Sequence, residues 1–118
     1  MPETNSLPAT VTRDIVLDVR LPEPLPTSRI EARRIRMPAG TAAGLHVHNG
    51  PVVGNIISGR VAYQIEGEPV QILGPGDVFY EPQDARIARF DALDADVEFL
   101  GYFPLTAGQE PALEFPAQ

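Results

Sequence analysis

The 118-residue sequence predicts an all-β domain, a sandwich or barrel of short strands. Thirteen prolines and ten glycines recur at short intervals and cut the chain into brief segments. Those segments alternate in polarity or run short and apolar, rich in Val, Ile, Phe and Tyr, as strands do. No long stretch places apolar residues at i, i+3, i+4 and i+7, the spacing of an amphipathic helix.

Taken in order, residues 1–10 read as a loose arm, and Leu21-Pro-Glu-Pro-Leu-Pro-Thr27 as a proline-stiffened connector, so 1–27 precede the barrel. Ser28 to Met37 reads as a strand in which Ile30 and Ala32 alternate, with Ile35 and Met37 in the opposite register. That switch predicts a bulge at Arg33-Arg34. Pro38-Ala39-Gly40 turns the chain, and strands are expected over 52–57, 61–65, 70–73, 78–81, 86–90 and 97–103. Glu66-Gly67-Glu68-Pro69 and Gly74-Pro75-Gly76-Asp77 supply tight turns between them. The barrel spans 28–104, and the proline-punctuated tail, 105–118, packs on its surface or on a partner subunit.

Composition removes several function classes. There is no cysteine, which excludes disulfides, thiolate metal sites and cysteine nucleophiles. All nine basic residues are arginines, so lysine Schiff-base chemistry is excluded as well. A net charge of −7 argues against nucleic acid and against capture by anionic membranes. Met1 to Pro8 lacks a basic start and an apolar core, and no apolar run approaches the roughly 20 residues of a membrane span, so a cytoplasmic protein is expected. Lysine-free, arginine- and alanine-rich usage points to a GC-rich bacterial genome.

The two histidines of the chain, His46 and His48, stand one residue apart. In an extended strand such residues share a face, roughly 7 Å apart along the backbone, and can converge on one divalent cation. Gly40, five residues, His46-Val-His48 and then Gly59 resemble the first motif of the cupin superfamily, G-x5-H-x-H-x3,4-E-x6-G. Gly76-Asp77-Val-Phe-Tyr-Glu81-Pro82 resembles the opening of its second motif, G-x5-P-x-G-x2-H-x3-N. The resemblance runs from about Ser28 to Phe103 and implies a double-stranded β-helix, or jelly-roll barrel, commonly dimeric, with a ligand site inside one end. The departures are specific. The motif-one glutamate falls at Val52 or Val53, and the motif-two glycine, histidine and asparagine fall at Asp84, Ile87 and Asp91. Of four metal ligands implied by the resemblance, His46 and His48 remain.

Strand parity offers a third. If Phe79 faces inward, so does Glu81, and the turn over 82–85 brings Ile87 back beside it, leaving the carboxylate in space vacated by the motif histidine. Two imidazoles and one carboxylate suit Fe, Mn, Ni or Zn with open positions for substrate or dioxygen. A buried Glu81 demands some partner, metal or guanidinium. Arg89 shares parity with Ile87 and either forks onto a ligand's acid group or lies solvated at a rim. Tyr63 lines the interior as an acid, a ligand-orienting hydroxyl or a packing group, and Asn55 is a further polar ligand contact. Asp91, Asp94 and Asp96 lack the glycine of a calcium loop, and no histidine is free for a serine triad. The expected function is a small metal-dependent cupin acting by oxidative cleavage, isomerisation or lyase chemistry on a small oxygenated molecule, with Glu81 and Tyr63 as catalytic groups. The competing reading is a metal-free binding module for a small organic acid or sugar. Either works as a homodimer without nucleic-acid or membrane partners.

Overall fold

The computed structural model describes residues 8–116 and is built of nine strands. These are β1 (Arg29–Met37), β2 (Val47–His48), β3 (Val52–Ser58), β4 (Val61–Ile65), β5 (Gln71–Leu73), β6 (Val78–Glu81), β7 (Ile87–Ala92), β8 (Val97–Leu105) and β9 (Leu113–Glu114). They form a four-stranded sheet ordered β1-β8-β3-β6, a three-stranded sheet ordered β5-β4-β7, and the small pair β2-β9, all antiparallel. Among the described residues no helix is long and apolar enough to cross a membrane.

The longest registers run along β8. Its residues alternate without interruption between buried and half-buried, the period-2 pattern of a strand with one face on the core. It pairs residue by residue with β1, from Arg29↔Leu105 to Met37↔Val97. The bulge expected at Arg33-Arg34 is therefore absent. Ile30, 68% exposed, misled the parity: it is an apolar residue on the outer face, while Ile35 and Met37 face the core. Bulges fall instead between Ile56 and Ser58 in β3 and between Ile87 and Arg89 in β7.

The core joins both larger sheets. Phe79 on β6, Phe90 on β7 and Phe99 on β8 meet at centroid distances of 4.9–5.9 Å, and Tyr63 on β4 closes the group at 6.0–6.2 Å. These tilted and edge-on geometries are the favoured ones for aromatic pairs. Gly54 in β3 makes room for them. A Cβ there would stand 2.3 Å from the Leu100 carbonyl oxygen and 2.4 Å from a Phe79 ring carbon. The Gly74–Asp77 turn closes with the Asp77 N–H donating to the Gly74 carbonyl at 2.9 Å, and Gly76 takes φ +88°. That is the conformation a Pro-Gly turn of type II requires.

Residues 8–28 carry no strand and are exposed except for half-buried Leu25; residues 1–7 of the expected arm lie outside the described part. The tail turns back along its own barrel. The Asn49 side chain donates to the Glu110 carbonyl at 2.8 Å and accepts from the Ala112 N–H at 3.0 Å. These bonds set β9 beside β2, the strand that carries His48.

Candidate metal centre

Three elements bring three donors to one place. A left-handed Gly44 (φ +81°) aims the chain inward, and His46 then exchanges two backbone hydrogen bonds with Ile87, at 2.8 and 3.1 Å. Strand β2 follows, its His48 carbonyl accepting from the Asp84 N–H at 3.1 Å. Asp84 sits at φ +63°, a left-handed position that aspartate tolerates better than most residues. It occupies the position of the motif-two glycine, so the backbone geometry survives the substitution. Strand β6 alternates so that Phe79 and Glu81 face inward, both 4% exposed.

Glu81 stands directly across from Val52 in the β3–β6 register. Ile87 is fully buried in the apolar core, bridged to His46, and Glu81 is the cross-strand neighbour of the position where motif one carries its acid.

The donor atoms of His46, His48 and Glu81 all lie within 4.8 Å of one another. Glu81 Oε2 lies 3.8 Å from His46 Nε2 and in direct contact with His48 Nε2. The two rings cross edge to face at 5.1 Å. His46 Nδ1 lies 2.7 Å from the Gly44 carbonyl oxygen, which can only accept, so Nδ1 carries a proton and Nε2 is the atom turned on Glu81. A ring held this way at Nδ1 presents Nε2 in a fixed direction, the arrangement metal-binding histidines use. His48 Nε2 is buried and, despite its contact with the carboxylate, makes no hydrogen bond of acceptable geometry.

Two lone-pair nitrogens and a carboxylate crowd one point and need a positive charge among them, either protons or a cation. Burial works against a charged His46, but the nearby Glu81 carboxylate and the hydrogen bond with the Gly44 carbonyl outweigh it and raise its pKa. Burial would likewise push Glu81 up, yet the close approach and charge of His46 and His48 hold it below the usual carboxylate range. A divalent ion fits the same donors: two imidazole nitrogens and one carboxylate oxygen, with positions left open.

The three side chains form one wall of a cavity of about 300 Å³ between the two larger sheets. Every other lining residue is apolar, from Ile35, Met37 and Phe79 to Leu113 and Phe115 of the tail. The remaining sequence candidates stand elsewhere. Tyr63 is inward and buried as expected, but its hydroxyl donates to the Tyr80 carbonyl at 2.5 Å, and it does not line the cavity. Burial, then the charge of Glu81, raises its pKa further. Asn55 sits on the opposite face of β3 from Gly54 and Ile56 and accepts from the Tyr102 hydroxyl at 3.0 Å. Arg89 is exposed: the bulge at Ala88 breaks its parity with Ile87, and the inward residues of β7 become Ile87, Phe90 and Ala92. The apolar tail residues over the cavity escaped sequence reading, because nothing in Pro111-Ala-Leu-Glu-Phe-Pro116 fixes where the tail docks. The nearest signal was Asn49, which ties it down.

Residues 33–87 match the family model described as "Cupin domain". Among solved structures, the DMSP lyase DddQ from Ruegeria pomeroyi DSS-3 superposes with a TM-score of 0.62 at 25% identity, covering 75% of this chain and 43% of that one. A cupin-like protein from Thermotoga maritima MSB8 gives 0.63 at 23%, covering 74% and 64%. An oxalate oxidase in complex with the substrate analogue glycolate gives 0.62 at 17%, covering 73% and 45%. The chain thus spans less than half the length of the two enzymes. No curated protein matches the sequence significantly.

Proposed function

We propose that this member of the cupin superfamily binds one divalent transition metal through His46, His48 and Glu81 and uses it on a small oxygenated organic molecule. The observation that carries the proposal is the convergence of three donors, two on buried residues and one an orphaned imidazole nitrogen, on the wall of an otherwise apolar cavity. The likeness to a lyase and an oxidase supports metal-assisted chemistry and leaves oxidative cleavage, isomerisation and lyase reactions open.

The metal, when bound, would supply a Lewis acid for a substrate oxygen. The protein's own residues would do the rest. Gly44 holds His46 in orientation through Nδ1. Glu81 supplies negative charge, and a carboxylate ligating through one oxygen keeps the other to receive a proton from substrate. The phenylalanines exclude water, which strengthens every polar contact inside. Tyr63 takes a packing role and Arg89 no role at the centre, so Glu81 is the one acid–base candidate besides the histidines.

Elemental analysis of protein grown with Fe, Mn, Ni and Zn tests this reading. About one ion per chain is expected, lost in His46→Ala and His48→Ala and weakened in Glu81→Gln. No bound metal in any medium would sink it. The direct His48–Glu81 contact favours a second reading, a metal-free imidazolium–carboxylate pair in a binding module. Its acid-binding form is weakened because Arg89 lies outside the cavity. We also expect a homodimer, which would cover Ile15 and Val16 of the arm, 82% and 70% exposed in the single chain. A monomer by light scattering at micromolar concentration would remove that part.

A further inference from the structure

The cavity has a polar wall and nothing else polar. Its three titratable side chains are the three proposed metal ligands, and among the described residues no guanidinium, hydroxyl or amide joins them in the lining. Arg33 lies over the Phe103 ring at 5.6 Å, is bound to Glu31 at 2.8 Å, is half exposed, and does not line the cavity. A ligand entering here gives up its hydration and regains polar contact at one end only. A second carboxylate would be desolvated without a partner, and so would each hydroxyl of a sugar. An aromatic or branched apolar body, by contrast, would exchange water for Met37, Phe99, Phe103 and Phe115.

We infer that this site takes a small molecule with one oxygen-donor head and an apolar, uncharged body, rather than a dicarboxylate or a sugar. The inference rests on the metal reading for the head and on the cavity lining alone for the body. A volume of about 300 Å³ limits the whole ligand to roughly one ring and its head, the lower end of small-molecule sites. Phe115 belongs to the body's binding surface. It lies 6.4 Å from His46 across the cavity mouth, is 66% exposed, and comes from the tail rather than the barrel core, so it can be changed without disturbing the core.

Three hydroxamates that share a metal-binding head separate the body from the head. Titrated into protein loaded with Co(II) and followed by the cobalt absorption bands, benzohydroxamate is expected to bind about tenfold or more tighter than acetohydroxamate. 4-Carboxybenzohydroxamate, which adds one charge to the same ring, is expected to lose about tenfold or more. Phe115→Ala should weaken benzohydroxamate several-fold while the Co(II) affinity stays the same. Equal binding of the three, or preference for the carboxylated ring, overturns the inference while the metal reading stands. If Co(II) does not bind, the metal reading fails and the body is tested in the metal-free protein. There, benzyl alcohol should shift the Ile35 and Met37 methyl resonances and glycerol should not. No shift with benzyl alcohol, or an equal one with glycerol, overturns the inference.

Discussion

Two adjoining regions of the barrel interior, which meet at Phe79, Phe90 and Phe99, are built by opposite means. In one, Tyr63, Phe79, Phe90 and Phe99 pack ring against ring, and the single polar atom among them, the Tyr63 hydroxyl, is satisfied by the Tyr80 carbonyl. In the other, an acid and two imidazoles share one wall of a void, and His48 Nε2 lacks any hydrogen bond. A packed core gains from dispersion and apolar burial, whereas buried charges cost stability unless fully partnered. The first region holds the fold and the second is carried by it. Substitutions should therefore lower stability in the aromatic region and remove binding, at little structural cost, in the polar region.

The largest effect belongs to the packed region. Phe90→Ala removes a ring that touches Tyr63, Phe79 and Phe99, and should cost about 3–5 kcal/mol in a denaturant titration. Gly54→Ala should cost about 1–3 kcal/mol, because its Cβ cannot fit beside the Leu100 carbonyl and the Phe79 ring without a shift. A wild-type midpoint for either would mean that the aromatic region does not hold the fold.

In the polar region the expected gain comes from the ligand. A metal present at about 100 times its dissociation constant should add about 2.7 kcal/mol to the wild type and nothing to His48→Ala. The metal-free protein should respond to pH in the opposite sense from the loaded one. His46, raised above its ordinary 6.5, contributes stability that is complete below that value and is lost as pH rises through its folded pKa. Glu81, lowered from 4.5, contributes stability that is complete above that value and is lost as pH falls through its folded pKa. The metal-free protein should thus be most stable between about pH 4.5 and 6.5 and decline on either side. The increment from metal should grow across the upper limb, because protons and metal compete for the same nitrogen. Thermal melts with and without metal from pH 5 to 8 that run parallel would contradict shared donors.

A smaller change tests the boundary between the two regions. Tyr63→Phe deletes the hydroxyl that reaches the Tyr80 carbonyl, one residue before Glu81, and should cost about 1 kcal/mol. Metal affinity should stay as it was. A loss of affinity of tenfold or more would make Tyr63 a positioning residue for β6 and merge the two regions into one unit.

Much of this division is legible in the sequence where a local period suffices. The alternation of Val61, Tyr63 and Ile65, and of Phe79 with Glu81, places side chains correctly because these strands run unbroken through the residues concerned. The His46–His48 spacing works for the same reason. Parity fails where it must cross an irregularity or rest on one apolar residue facing water, as at Ile30. The docking of the tail over the cavity depends on contacts some sixty residues apart, such as Asn49 with Ala112, and no local pattern encodes it.

Arg89 gives the smallest effect and the sharpest test of that reasoning. Counting by twos from Ile87 puts it inside the barrel; the one residue inserted at Ala88 turns it outward and brings Phe90 in. An exposed arginine away from any special contact changes stability by about 0.5 kcal/mol at most when truncated. Arg89→Ala should therefore leave the melting temperature, the bound metal and the benzohydroxamate affinity unchanged. Deleting Ala88 should remove the bulge and leave simple alternation, with Ile87 and Phe90 still inward and Arg89 still outward. Its cost should therefore stay well below that of Phe90→Ala. A loss as large as that of Phe90→Ala would show that the bulge, and not alternation about it, holds the inward face of β7.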